Sequence, residues 1–186
     1  MGNLIPLLMA LPFAVVGVRM VLRDGPALGP ALGWLAAMPL VGWLAANVFG
    51  LYQNEAMRGE MQRRLGKSEI DLGQSRTFVG FSRPGKSGLL DAHEDVGYLV
   101  VRSDEIEFVG ETHRVALPRS AVHRVRFRPN IHTLVGLGRW VAVEGVLGDR
   151  PVRLLIEPRE RPTLLGNRRY GVRLKRELED WVQPLI

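Results

Sequence analysis

The chain has no cysteine, which excludes disulfides, zinc-thiolate sites and thiol nucleophiles together. Lysine is scarce as well: Lys67, Lys86 and Lys175 stand among 25 basic residues, and the others are arginine. From Ala27 to Tyr52 there is no ionisable side chain. As a helix at ~1.5 Å per residue that stretch extends for about 39 Å, enough to cross a hydrocarbon core of about 30 Å. The preceding run, Leu4 to Leu22, is interrupted by Arg19 alone, near enough to its end for the guanidinium to reach the headgroup layer.

A signal peptide would need basic residues before the first apolar run and a small-x-small site after it. Met1 to Asn3 carries no Lys or Arg, and Arg23-Asp24-Gly25-Pro26 reads as a tight turn. The expectation is a transmembrane helical hairpin in residues 1–52, with spans at about 4–22 and 30–52. In the second span Gly29, Gly33 and Ala37, then Gly42, Ala46 and Gly50, recur at the spacing that lets membrane helices approach closely. They are expected to pack the hairpin or a neighbouring subunit. Pro39 is expected to kink this helix, Trp34 and Tyr52 bracket it at the interfaces, and Asn47 reads as a helix-helix hydrogen bond.

The formal charge is +6, and the region from Lys67 onward holds 20 basic and 16 acidic residues. That balance is too even for a nucleic-acid partner. Beside a bilayer, however, each Lys or Arg near anionic headgroups contributes about 1 kcal/mol. Arg58, Arg63, Arg64 and Lys67 follow the second span, against Arg19 and Arg23 at the turn. This bias predicts a multi-pass protein of the cell (inner) membrane with both termini cytoplasmic.

Residues 53–74 read as a connector, with Met57, Met61 and Leu65 at helical spacing, extending the second helix or lying on the membrane surface. From Ser75 the period becomes twofold. Strands are predicted near 76–81, 96–102, 105–109, 114–117, 122–128, 139–147 and 152–157, with hairpin turns at Ser103-Asp104 and Gly148-Asp149. Alternation proposes inward faces of Ile106 with Phe108, Val115 with Leu117, Val125 with Phe127, Val141 with Val143, and Val152 with Leu154 and Ile156. A final helix over about 167–182 places Leu174, Leu178, Trp181, Val182 and Leu185 on one face.

Seven short antiparallel strands closed by one amphipathic helix is the element order of pleckstrin-homology-like (PH-like) domains. The stretches Tyr98-Leu-Val-Val-Arg-Ser-Asp-Glu-Ile-Glu-Phe108, Val115-Ala-Leu-Pro-Arg-Ser-Ala-Val122 and Gly136-Leu-Gly138 ahead of Val141-Ala-Val143 resemble the bacterial PH-like domain family found behind membrane-helix hairpins. The resemblance implies, for residues 75–186, a seven-stranded bent sandwich or barrel capped by the C-terminal helix. It implies a binding or scaffolding role and carries no catalytic residue. The long Arg-rich approach to the last helix, Pro158 to Arg169, departs from the family pattern.

Three basic groups are candidates for anion or partner binding. Arg124, Arg126 and Arg128 alternate along one strand and share a sheet face, where they either bind phosphates or pair with Glu105 or Glu107. Arg83 and Lys86 lie in the first inter-strand loop, where lipid-binding PH domains hold phosphate. Arg159, Arg161, Arg168 and Arg169 gather beside a helix N-terminus and are the preferred contact site, against the alternative that they pair with Glu157 and Glu160. Asp91, His93, Glu94 and Asp95 are the densest set of potential metal ligands, but their spacing fits neither HExxH nor an EF-hand. His113, His123 and His132 fall in different elements and are expected on surfaces or strand faces.

These residues predict a membrane-anchored, non-enzymatic interaction or scaffolding protein, with no metal or other cofactor, whose cytoplasmic domain binds a protein partner or anionic headgroups. One alternative is a metal-dependent hydrolase built on the His93 cluster. Another is a structural subunit of a membrane complex, or a homo-oligomer, assembled through the hairpin.

Overall fold

The computed structural model describes residues 4–24, 28–69, 75–85 and 93–183. The chain divides into two units, Met1–Gln53 and Asn54–Ile186. In the first, α1 (Leu4–Asp24) and α2 (Leu28–Phe49) form an antiparallel pair. Both are long and apolar enough to cross a membrane, and Pro39 lies inside a continuous α2.

The two helices approach where side chains are smallest. A Cβ on Gly17 would stand 2.8 Å from the Leu35 side chain, and Phe13 packs on Trp34 with ring centroids 5.6 Å apart. Ala31 and Ala45 are buried, and Gly42 faces Ala10. Gly29 and Gly33 have nothing within 4 Å of their Cβ positions. The small residues picked out by spacing therefore divide: Gly42 serves the hairpin, Gly29 and Gly33 do not, and the tightest approach is made by Gly17 of α1.

The second unit contains α3 (Asn54–Glu69), β1 (Ser75–Ser82), β2 (Asp95–Val101), β3 (Glu105–Gly110), β4 (Arg114–Pro118), β5 (Val122–Arg128), α4 (Ile131–Leu134), β6 (Trp140–Leu147), β7 (Arg150–Pro158) and α5 (Leu164–Val182). All seven strands fall within about two residues of the bounds their alternation predicts, the usual margin for element ends. They form one antiparallel sheet in the order β4-β3-β2-β1-β7-β6-β5. Arg102 N donates to Glu105 O at 2.8 Å across the Ser103-Asp104 turn, and Gly148 takes a left-handed φ of 62° in the β6–β7 turn, which glycine adopts without steric cost.

Alternation sends one set of side chains to the inner face. Phe81, Ile106, Phe108, Leu117, Val125, Val141, Val143, Leu154 and Ile156 are buried there, with Phe127, Val115 and Val152 partly buried against them. Helix α5 closes this face with Leu174 and Leu178, flanked by Trp181 and Val182; Leu185 lies outside the described residues. Thr163 caps α5 by accepting a hydrogen bond from Gly166 N at 3.1 Å.

The outer face of β1 and β2 is covered by α3. Met57, Met61 and Leu65 pack on Phe78, Tyr98 and Val100, so the apolar stripe of this helix is used against the sheet. Its first residue, Asn54, donates through Nδ2 to Arg159 O and accepts from Arg159 Nε at 3.0 Å. The described α3 thus belongs to the β domain rather than standing apart as a spacer.

Candidate functional site

Glu157 of β7, which stands opposite Gly80 of β1, is a buried charged group on the outer face. Its Oε2 accepts from Asn130 Nδ2 at 2.9 Å and lies 3.0 Å from His132 Nδ1 and 3.1 Å from His93 Nε2. Asn130 and Thr133 form a reciprocal capping box at the start of α4, which turns His132 back over β7. Two glycines admit the cluster: a Cβ on Gly80 would run into the His93 ring, and one on Gly138 into Glu157 Oε1. Burial alone would raise the Glu157 pKa, but hydrogen bonds from His132 and His93 outweigh it and hold the carboxylate well below its ordinary range. Burial pushes the His93 pKa down despite Glu157, so a neutral imidazole stands beside an ionised carboxylate.

The acidic run around His93 therefore does not act as one group. Glu94 Oε2 pairs with Arg83 Nε at 2.8 Å. Asp95 accepts from Thr112 N at 2.9 Å, His113 N at 2.7 Å and Glu111 N at 3.1 Å, which organises the β3–β4 turn. Asp91 lies outside the described residues, as does Lys86 of the candidate phosphate loop. Among the described residues no group of three or more His, Asp or Glu is arranged to hold a metal ion.

Arg126 and Arg128 do share the outer face of β5, but their partner is not the expected one. Glu144 of β6 accepts from Arg126 Nη2 and Arg128 Nη2 at 3.0 Å each, and Arg153 Nε of β7 lies 2.7 Å away. Glu105 and Glu107 are on β3, near the opposite edge of the sheet, where Arg102 Nη1 reaches them at 2.5 and 2.7 Å and Arg114 Nε reaches Glu107 at 2.6 Å. Burial opposes ionisation of Glu144, yet the arginines lower its pKa from 4.5 to about 2. Its contribution to stability is thus complete above about pH 4.5 and is lost as pH falls toward 2. Glu144→Gln should cost about 1–2 kcal/mol at neutral pH, discounted because the arginines are one-third exposed. Denaturant melts at about pH 7 and pH 3 should show wild type losing stability on acidification and the variant losing less.

Arg124 has no hydrogen bond or ion pair among the described residues. It lines a groove of about 780 Å³ between β5 and α5, together with Arg176, His123 and the Lys175–Glu179 pair. Nearby, the Arg139 guanidinium lies 3.4 Å above the Phe127 ring, and burial and the like charge of Arg168 pull its pKa down.

The preferred arginine loop is built, but not as ion pairs with its own glutamates. Glu157 goes to the histidines, while Glu160 pairs with Arg58 at 2.9 Å and accepts from Phe78 N at 2.6 Å. Asn167 ties the loop to α5, accepting from Arg161 N at 2.8 Å and donating to Arg161 O at 2.7 Å. Arg159 holds Asn54, Arg168 Nη1 donates to Gly136 O at 2.6 Å, and Arg161 lies 6.0 Å from the Tyr170 ring. Arg169 has no hydrogen bond or ion pair among the described residues. The side chains of Arg161, Arg168 and Arg169 are exposed.

Compared with known proteins, the chain matches no family model and no curated protein. Composition and spacing do not signal the Glu157 cluster, since its members come from β7, the β5–β6 connection and the residues before β2. The legible clue is Asn130-Ile-His-Thr133, a helix-start pattern that the strand alternation on either side conceals. The same connection carries Leu134 and Val135, which the sequence reading passed over.

Proposed function

We propose that the protein is a membrane-anchored binding module: α1 and α2 span the bilayer, both termini face the cytoplasm, and residues 54–186 form a PH-like domain that engages anionic headgroups and performs no chemistry. The observation that carries this reading is the strand order β4-β3-β2-β1-β7-β6-β5 closed by an amphipathic α5, on a chain that begins with two apolar helices. The PH-like resemblance implies a seven-stranded bent sandwich or barrel capped by the C-terminal helix, and seven antiparallel strands with one helix packed on their core face support that reading. Anionic headgroups are favoured over other ligands because exposed Arg124, Arg161 and Arg169 lack carboxylate partners among the described residues, and such cations attract phosphate.

The absence of cysteine makes the topology directly testable. With single cysteines placed by Arg23→Cys and Leu147→Cys, a membrane-impermeant maleimide should label intact cells only at position 23, and position 147 only after permeabilisation. Labelling of position 147 in intact cells would overturn the cytoplasmic placement. Extraction of the unlabelled protein by carbonate would overturn the anchor.

A further inference from the structure

One end of the β domain combines features that none of the sites above explains. Leu134 and Val135, at the tip of the β5–β6 connection, are 75% and 51% exposed. Arg168 Nη1 holds that tip by bonding Gly136 O at 2.6 Å, and Asn167 beside it fixes Arg161 through two hydrogen bonds of 2.7 and 2.8 Å. Arg168 thus reaches the exposed aliphatic tip, and exposed Arg161 and Arg169 are carried by residues adjoining it, Arg161 through its backbone bonds to Asn167 and Arg169 as the next residue of α5. Nearby Glu160 is held by Arg58 and Phe78 N, and Glu157 by His93, His132 and Asn130, so neither is free to neutralise the arginines. Next to Asn54, Glu55 is an exposed carboxylate, one anion against three cations.

The same end is where the chain enters the domain from α2. Asn54, the first residue of this unit, is bonded to Arg159 in both directions. Arg159 is two residues from Glu157, which carries His132 and with it the Leu134–Val135 tip.

We propose that this end is a bilayer-docking surface: Leu134 and Val135 insert at the boundary between headgroups and acyl chains while Arg161, Arg168 and Arg169 engage anionic headgroups. Charge complementarity and the point of chain entry both favour a lipid surface as the occupant. An apolar tip with a basic rim gains from burial and from the negative surface potential together. The inference rests on the membrane-anchored reading above and specifies its contact surface. The rim arginines supply about fivefold each in the docked-to-undocked ratio, and the Leu134 side chain about tenfold.

The test uses the full chain reconstituted in phosphatidylcholine vesicles, with or without phosphatidylglycerol, carrying an NBD fluorophore on Leu40→Cys, Leu134→Cys or Leu147→Cys. Doxyl-labelled lipid should quench position 40 in both vesicles, position 134 only in the anionic ones, and position 147 in neither. High salt or Arg161→Glu with Arg169→Glu should release position 134 while leaving position 40 quenched. No quenching at position 40 would sink the anchor on which the inference depends. Quenching at position 40 without quenching at 134, or quenching at 147 in its place, would overturn the docking surface and leave the anchor standing. Shielding of position 134 only on addition of a second protein would assign the surface to that protein and overturn it likewise.

Discussion

Glu157→Ala should lower the unfolding free energy of the β domain by about 3–5 kcal/mol, because it leaves buried Asn130 and half-buried His132 without their acceptor and removes the carboxylate beside buried His93. Asn130 Nδ2, His132 Nδ1 and His93 Nε2 all converge on one carboxylate oxygen. Glu157→Gln keeps the shape and one acceptor oxygen, so it should cost less, about 1–3 kcal/mol. Denaturant melts of the full chain in detergent, followed by near-ultraviolet circular dichroism, measure both. A loss below about 1 kcal/mol for the alanine variant would mean the cluster is not load-sharing in the fold.

The same cluster makes the domain acid-sensitive. The folded pKa of Glu157 lies below its ordinary value, so its contribution is complete above about pH 4.5 and is lost as pH falls through the folded pKa. His93 is held neutral by burial. Below about pH 6.5 the unfolded chain gains a proton at this residue that the folded one refuses, so stability declines as pH falls. Both effects have the same sign. His93→Gln should flatten the decline between about pH 6.5 and 5, while leaving the lower-pH loss that belongs to the carboxylates.

Phe81→Ala is the second large effect, expected to cost about 3–5 kcal/mol. Phe81 is 1% exposed and stacks on Phe108 with ring centroids 4.4 Å apart and planes at 18°. It belongs to β1, the strand that pairs with both β2 and β7 and so joins the two meanders. A cavity at this position is bounded by paired backbone on either side, which limits collapse. Phe81→Leu restores most of the volume and should cost about 1.5 kcal/mol or less. Equal losses for the two variants would indicate that aromatic stacking, rather than filled volume, is what the position supplies.

Different parts of the molecule were legible to different degrees. The two apolar helices and all seven strands follow from patterns in which each residue is read against its nearest neighbours. Val141 and Val143 face the core because a pleated strand alternates, whatever stands beside it. The partner of the basic stripe is a different kind of question. Arg126 and Arg128 alternate just as the sequence indicates, but the carboxylate they meet depends on which strand lies alongside β5. That strand is β6 with Glu144, whereas Glu105 and Glu107 sit on β3 toward the other edge.

The same distinction governs the histidines. His93 adjoins Glu94 and Asp95 in sequence and suggests an acidic cluster, yet its carboxylate partner is Glu157, brought to it by the pairing of β1 with β7 and admitted by Gly80. Met57, Met61 and Leu65 form a stripe that suits a membrane surface or a sheet equally well. The hydrophobic effect is non-directional, so only the position of Phe78 and Tyr98 decides where that stripe is buried.

By itself, then, the sequence determined the division into an apolar pair of helices and a β domain, the strand boundaries and the inward faces, because backbone geometry and alternation are local. Tertiary structure alone decided the charge pairing, the His93–His132–Glu157 cluster and the meeting of the Leu134–Val135 tip with Arg168. Those depend on which distant segments the sheet order makes neighbours, and the interactions that matter there act only within a few ångströms.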